Sequence, residues 1–289
     1  MLNPNIWRSQ QKEFVWQEHR IGYQDVGEGP VLVLLHGLPG SSWDWHPVWP
    51  MLSGQFRLIA PDLPGCGDSD KPLLHDYRLA DQAAAVLALL EYLDIRDYQL
   101  AAHDYGAAIG TLLVQSDQPP QAVSLLSPRL TGDNRDYLWR ELWLSGPSGQ
   151  LLWRLVTEGL YGRYLEKLTG PYARLSTQRL RDSWQLLTAH QGLQVLPQLL
   201  NYRYELPLRA EFATATFALP LQLLEGRYDP LPSLSQLLPE AQVSRLDTGH
   251  FPQLEDPEHV ATLLLDFHCR PDHQSSAVFE NLRKAGPSA

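Results

Sequence analysis

One short stretch of the chain carries a residue able to act as a nucleophile: Ala102-His103-Asp104-Tyr105-Gly106. The apolar run Gln99–Ala102 precedes it and a helix-forming run follows, so the pattern is small-x-Asp-x-small at a strand-to-helix junction. A turn that tight crowds the residues two before and two after its centre, which Ala102 and Gly106 tolerate. Asp104 then stands at a helix N-terminus, where partial positive charge favours an anion. A serine there would need a histidine to take its proton. An aspartate, with an ordinary pKa of about 3.9, is already ionised. It can attack a saturated carbon or open a strained ring, giving an alkyl ester that histidine-activated water then hydrolyses. The competing reading is a plain helix cap, since Asp is a favoured N-cap residue.

Two later stretches offer partners. Thr248-Gly249-His250-Phe251-Pro252 follows the last strand-like run, and His250 has the best placement of the ten histidines for a general base. Asp229, in Arg227-Tyr228-Asp229-Pro230, ends the run before it and can orient the imidazole, or else cap a turn with Pro230. The order Asp104, Asp229, His250 is nucleophile, acid, base. Asp247 and Asp256 read as loop and cap residues. Near the start, Val31–Leu35 runs into His36-Gly37-Leu38-Pro39-Gly40. Pro39 has no N–H, so Leu38 is the donor that can join the N–H of Tyr105 in an oxyanion hole. His36 and His103 read as structural, as does the Gly-rich stretch Ala60–Pro72, whose spacing is wrong for a phosphate loop.

The elements that must position these residues alternate between strand-like and helical runs, the mark of an α/β protein with a mostly parallel sheet. A hairpin is expected over Glu13–Val26, turning near Arg20–Gly22. Strands are expected at Val31–Leu35, Arg57–Ala60, Gln99–Ala102, Ala122–Leu126, Pro220–Leu224 and Gln242–Leu246, which makes eight with the hairpin. The continuous apolarity of the first four suits burial on both faces. Leu79–Leu93 is a strong amphipathic helix, and a last helix starts at Asp256-Pro257 with the stripe Val260, Leu263, Leu264, Phe267. Between Pro128 and Phe212 strand-like runs give way to helical spacing. The chain therefore divides into a core, residues 1–127 and 213–289, and a helical insert, residues 128–212. From Arg270 to Ala289 the tail is polar and reads as an exposed arm or as partly disordered.

Composition limits the function. A chain of 289 residues, 44% hydrophobic and 19% charged, suits a soluble globular protein with a large core. A net charge of −10 and the lack of a basic stripe exclude nucleic acid as a partner. Met1–Gln11 has no signal-peptide pattern, and apolar runs such as Ala83–Leu90 are too short to span a bilayer. A cytoplasmic protein is expected. Cys66 and Cys269 make neither a disulfide framework nor a metal pattern and read as buried free thiols. No pattern calls for a metal, nucleotide or flavin. Nine tryptophans and twelve tyrosines point to an aromatic core, and those in the middle third to an apolar pocket for a small apolar substrate.

Across nearly its whole length the chain resembles the α/β-hydrolase superfamily. Asp104 within His-Asp-Tyr-Gly, with Ser69-Asp70-Lys71-Pro72, looks like the epoxide hydrolase and haloalkane dehalogenase branch. His103–Gly106, Gly170-Pro171-Tyr172 and Pro252-Gln-Leu-Glu-Asp-Pro257 look closest to the mesoderm-specific transcript proteins and their bacterial relatives. The resemblance implies an eight-stranded α/β-hydrolase fold whose insert is a cap over the active site. Haloalkane dehalogenases hold halide with a Trp after the nucleophile and an Asn in the glycine loop. Here those places carry Tyr105 and Leu38, which counts against dehalogenation unless a cap Trp such as Trp184 substitutes. Fluoroacetate dehalogenases place an Arg where Tyr105 stands. Epoxide hydrolases use cap tyrosines as proton donors, and Leu200-Asn201-Tyr202-Arg203-Tyr204 resembles such a motif. Tyr202 and Tyr204 are its candidates, with Tyr137 or Tyr172 as the second donor.

Overall fold

The computed structural model describes residues 4–132, 153, 155–173, 175–207, 217 and 219–273. Eight strands are present: β1 (Lys12–Trp16), β2 (His19–Val26), β3 (Val31–Leu35), β4 (Arg57–Pro61), β5 (Gln99–His103), β6 (Val123–Leu126), β7 (Leu221–Gly226) and β8 (Gln242–Leu246). They form one sheet in the order β1-β2-β4-β3-β5-β6-β7-β8. The pairings of β1 with β2 and of β2 with β4 are antiparallel, and every later pairing is parallel. Apolar side chains fill both faces of the central strands, and β5 is buried throughout. Helix α1 (Pro4–Ser9) and the short α2 (Trp49–Leu52) come before α3 (Leu79–Tyr92) and α4 (Tyr105–Val114).

The chain passes from β3 out to β4 and then crosses back to β5 on the other side of β3. That reversal leaves a crevice at the carboxyl ends of β3 and β5, where open α/β sheets bind ligands. Leu35 pairs with Ala102, so the loop after β3 and the turn after β5 leave the sheet side by side.

Between β6 and β7 the described residues are helical: α5 (Glu158–Leu168), α6 (Thr177–Thr188), α7 (Gly192–Leu199) and a 3-10 turn over Leu200–Tyr204. Thr157 and Ser176 cap α5 and α6, accepting the N–H of Leu160 and Arg179. After β8 come a single turn, α8 (Pro252–Glu255), and α9 (Pro257–His268). Asp256 caps α9 by accepting the N–H of His259, with Pro257 at the first position. No helix among the described residues is long and apolar enough to cross a membrane.

Three expectations are corrected. The hairpin turns at Gln17–Glu18, not Arg20–Gly22; both turn residues adopt positive φ, 46° and 67°, without the glycine that normally signals such a turn. Gly22 instead lies inside β2, where a Cβ would fall 2.7 Å from the Gln11 side chain. Cys66 is buried but Cys269 is exposed, because it ends α9 one residue past the buried Phe267 and His268. The tail is not an arm from Arg270 onward: Pro271–His273 form a further turn, and buried His273 places Nδ1 2.8 Å from the Phe267 carbonyl. Residues beyond 273 lie outside the described ones.

Candidate active site

Asp104 sits between β5 and α4 with φ 46° and ψ −108°, a conformation that non-glycine residues rarely adopt. A capping aspartate has extended backbone and bonds the first turn through its side chain. Asp104 does neither. Its Oδ2 accepts the N–H of Leu38 at 3.1 Å, and its Oδ1 lies 3.6 Å from His250 Nε2. The latter is an ion-pair distance, beyond hydrogen-bond range.

Two glycines make room for this turn. A Cβ on Gly106 would lie 2.7 Å from the Leu35 carbonyl oxygen and 2.8 Å from that of His36. A Cβ on Gly37 would meet His103 Nδ1 at 2.6 Å and Asp104 Cβ at 2.9 Å. Because the obstacles at Gly106 are backbone atoms, Gly106→Ala is expected to destabilise the fold by roughly 1–3 kcal/mol. A urea midpoint that falls at unchanged m-value checks this.

His250 follows β8 and is buried. Its Nδ1 donates to Asp229 Oδ2 at 3.0 Å, which turns Nε2 toward Asp104. Asp229 Oδ1 accepts the N–H of Leu231 at 2.9 Å. The turn-capping and histidine-orienting alternatives for Asp229 thus coexist, one on each oxygen. His103 Nε2 lies 2.7 Å from the His250 carbonyl oxygen; a carbonyl only accepts, so Nε2 carries the proton. His36 accepts the N–H of Leu63 on Nε2 and donates from Nδ1 to the Gly37 carbonyl. Both histidines brace loops of the site.

The electrostatics follow from burial and charge. Burial works against the Asp104 carboxylate, but His250, with help from Arg129, reverses the sign and holds it far below the usual carboxylate range. Burial likewise opposes the His250 cation; the charge of Asp229, then contact with both aspartates, pushes it up to about 10. Burial, with repulsion from His250, lowers His103 to about 4, so it stays neutral. At neutral pH the site therefore holds two carboxylates around one imidazolium. The His250 contribution to stability is fully present below its ordinary 6.5 and is lost as pH rises through about 10. Those of Asp104 and Asp229 are present above 3.8 and lost on acidification.

An alpha/beta hydrolase fold family matches residues 30–257. The mesoderm-specific transcript homolog protein of Bos taurus is 35% identical over 286 residues, covering 89% of this chain and 85% of that protein. This chain belongs to the α/β-hydrolase fold family. Among solved structures, the epoxide hydrolase CorEH is similar with a TM-score of 0.75 at 20% identity, covering 90% of this chain and 98% of its own. A haloalkane dehalogenase variant, DbeA-M1 of Bradyrhizobium elkanii, is similar with a TM-score of 0.72 at 22% identity, covering 90% and 96%. At those identities the likeness speaks to the fold.

The remaining candidates of this α/β-hydrolase-fold chain divide sharply. Tyr202 is fully buried, with its ring 4.6 Å from that of Tyr105. Burial and the Asp104 charge push its phenol up to about 12, against the opposing pull of Arg129 and Arg203. It stays protonated at neutral pH. Tyr204 is 63% exposed: at about three residues per turn of a 3-10 helix, positions two apart point about 120° from each other. Tyr172 is 76% exposed and meets Tyr228 on the outside, at 5.6 Å between rings. Neither reaches the site. Trp184 packs on Tyr161, 5.6 Å between rings, in a small apolar cluster that joins the insert to Phe251 and Leu254. Tyr137 lies outside the described residues. Of the two oxyanion candidates, Leu38 alone donates to the Asp104 side chain among the described hydrogen bonds; Tyr105 opens α4 at the same turn.

An apolar cavity of about 190 Å³ has Pro39, Leu160, Tyr161, Leu196, Leu200 and Arg203 in its wall. Pro39 links it to the Leu38 loop, while most of its wall comes from the insert. Sequence reasoning missed Arg129, which is 9% exposed, with its N–H 3.5 Å from the Asp104 carbonyl oxygen. Its place just past the apolar run Ala122–Leu126, where a loop leaves the carboxyl edge of the sheet, was the available signal.

Proposed function

We propose that this protein is an epoxide hydrolase-like enzyme that works through a covalent ester on Asp104. The observation that carries this reading is the carboxylate itself: buried, ionised, on a strained turn, with a backbone N–H on one oxygen and His250 facing the other. In the first step Asp104 Oδ1 attacks an epoxide carbon, and the ring C–O bond breaks. The leaving oxygen takes the phenolic proton of Tyr202. With the Asp104 charge gone, the His250 imidazolium passes its Nε2 proton to the Tyr202 phenolate. In the second step the freed Nε2 removes a proton from water, which attacks the ester carbonyl carbon. The Leu38 N–H, with that of Tyr105, stabilises the oxyanion until the diol leaves. Asp104 keeps one oxygen from water, and the proton taken from water leaves His250 an imidazolium, as in the free enzyme. Epoxide plus water gives diol, with every proton restored.

The imidazolium of the free enzyme suits this sequence. Esterification removes the Asp104 charge, one support of the His250 cation, so the imidazole becomes a base when water must be activated. Residues 128–212 then act as the cap and the rest as the core, with the apolar cavity accepting the tail of a small apolar substrate. Tyr105 and Leu38 stand where halide donors are needed, which favours epoxide opening over dehalogenation.

The test is a panel of epoxides and haloalkanes given to the wild type and to Tyr202→Phe. Epoxide turnover is expected in the wild type, falling roughly 10²-fold or more in the variant as the proton donor is lost. Haloalkane turnover without epoxide turnover would overturn the reading.

A further inference from the structure

Two stretches stand outside the chemistry described so far: Gly170-Pro171-Tyr172, just after α5, and Pro252–Pro257, just after His250. In the fold they meet through one side chain. Glu255 Oε2 accepts the N–H of Gly170 and that of Gly249, both at 2.8 Å, and its Oε1 accepts that of Phe251 at 3.1 Å. The N–H of His250, between the last two, donates to the Leu168 carbonyl at 2.7 Å. The two backbones touch glycine on glycine. A Cβ on Gly170 would lie 2.8 Å from Gly249 N and 2.9 Å from Thr248 C, and one on Gly249 would lie 2.2 Å from the Leu168 carbonyl oxygen. Two residues on, Tyr172 rests against Tyr228, the neighbour of Asp229. One segment of the insert is therefore docked on both loops that carry the acid and the base.

We propose that Glu255 is a positioning residue: its carboxylate clasps Leu168–Tyr172 against Gly249–Phe251, so that the seat of the insert and the aim of His250 are set together. This rests on the reading of His250 as the base. Only a carboxylate serves well here. It offers two acceptor oxygens and no donor, and its bonds to N–H groups are charge-assisted. A glutamine would keep one acceptor and turn an NH₂ toward N–H groups. Lifting the insert must also break the Leu168–His250 bond, so His250 is aimed only while the insert is seated. If Glu255 merely closed its own turn, the bonds to Gly249 and Phe251 would suffice and Gly170 would not be held.

Amide hydrogen exchange on the full chain separates the two, in Glu255→Gln and in Gly170→Ala. For the clasp, protection of the Gly170, Gly249, His250 and Phe251 amides falls together by about tenfold or more in each variant, on the scale of one lost hydrogen bond. The His250 amide is decisive, because neither substitution touches its acceptor. With an epoxide that the wild type turns over, hydrolysis of the Asp104 ester slows by a similar factor while ester formation stays within about twofold. Retained protection at His250 overturns the proposal, as does a loss no larger there than across β5. Exchange needs no substrate, so an enzyme that opens no epoxide would refute the hydrolase reading while the clasp is still judged.

Discussion

In His250→Gln given a reactive epoxide, the peptide carrying Asp104 should gain the mass of the whole epoxide and keep it. Glutamine fills much of the imidazole's volume but cannot take a proton from water at neutral pH. The first step does not need it to. Removing His250 takes away the main group that favours the Asp104 carboxylate over burial, but the Arg129 charge and the Leu38 N–H on Oδ2 remain to favour it. Tyr202 remains to protonate the leaving oxygen. Only ester hydrolysis stops, and steady-state turnover is expected to fall about 10²- to 10⁴-fold, the usual contribution of a general base. Intact-protein mass spectrometry followed by peptide mapping reads both the trapped ester and its position. A variant that turns over normally, or one labelled elsewhere, contradicts the assignment of His250.

Asp229→Asn is expected to cost nearly as much, for a different reason. The amide can still face Nδ1, but it presents a donor as readily as an acceptor, so the tautomer that leaves Nε2 free to act as base is no longer enforced. A loss of about 10²- to 10⁴-fold follows by comparison with buried aspartates that orient a catalytic histidine elsewhere. The pH profile carries the sharper signature. The Asp229 charge favours the His250 cation, and an asparagine removes that support. The rising limb for ester hydrolysis should therefore move to lower pH in the variant while the plateau falls. A limb that stays in place, or moves to higher pH, would show that Asp229 does not act through the His250 charge.

The candidate set was legible because strand ends are legible. Asp104, Asp229 and His250 each follow a strand-like run, and parallel strands all deliver their carboxyl ends to one edge. The tyrosines were not, since residue type says nothing of rotation about a helical turn. Tyr202 and Tyr204 differ by two positions, and that alone puts one in the core and the other in water. The Gln17–Glu18 turn escaped because neither residue is a glycine or asparagine, although both take positive φ. Glu255 escaped for a further reason. It reads as an acidic residue ahead of a helix, and its partners Gly170 and Gly249 contribute only backbone N–H groups, which every residue but proline has. What marked it was the pairing of two short stretches distant in sequence, and only the fold brings them together.

In the proposed mechanism Asp104, not water, forms the bond to carbon. A single turnover in ¹⁸O-water, with enzyme in excess over epoxide, tests it most directly. The covalent route predicts that the first diol released carries no label from solvent, because its new oxygen comes from Asp104, while the Asp104 peptide gains one ¹⁸O. A first diol already carrying ¹⁸O, with an unlabelled Asp104 peptide, would mean that water attacks the substrate directly and would contradict the account.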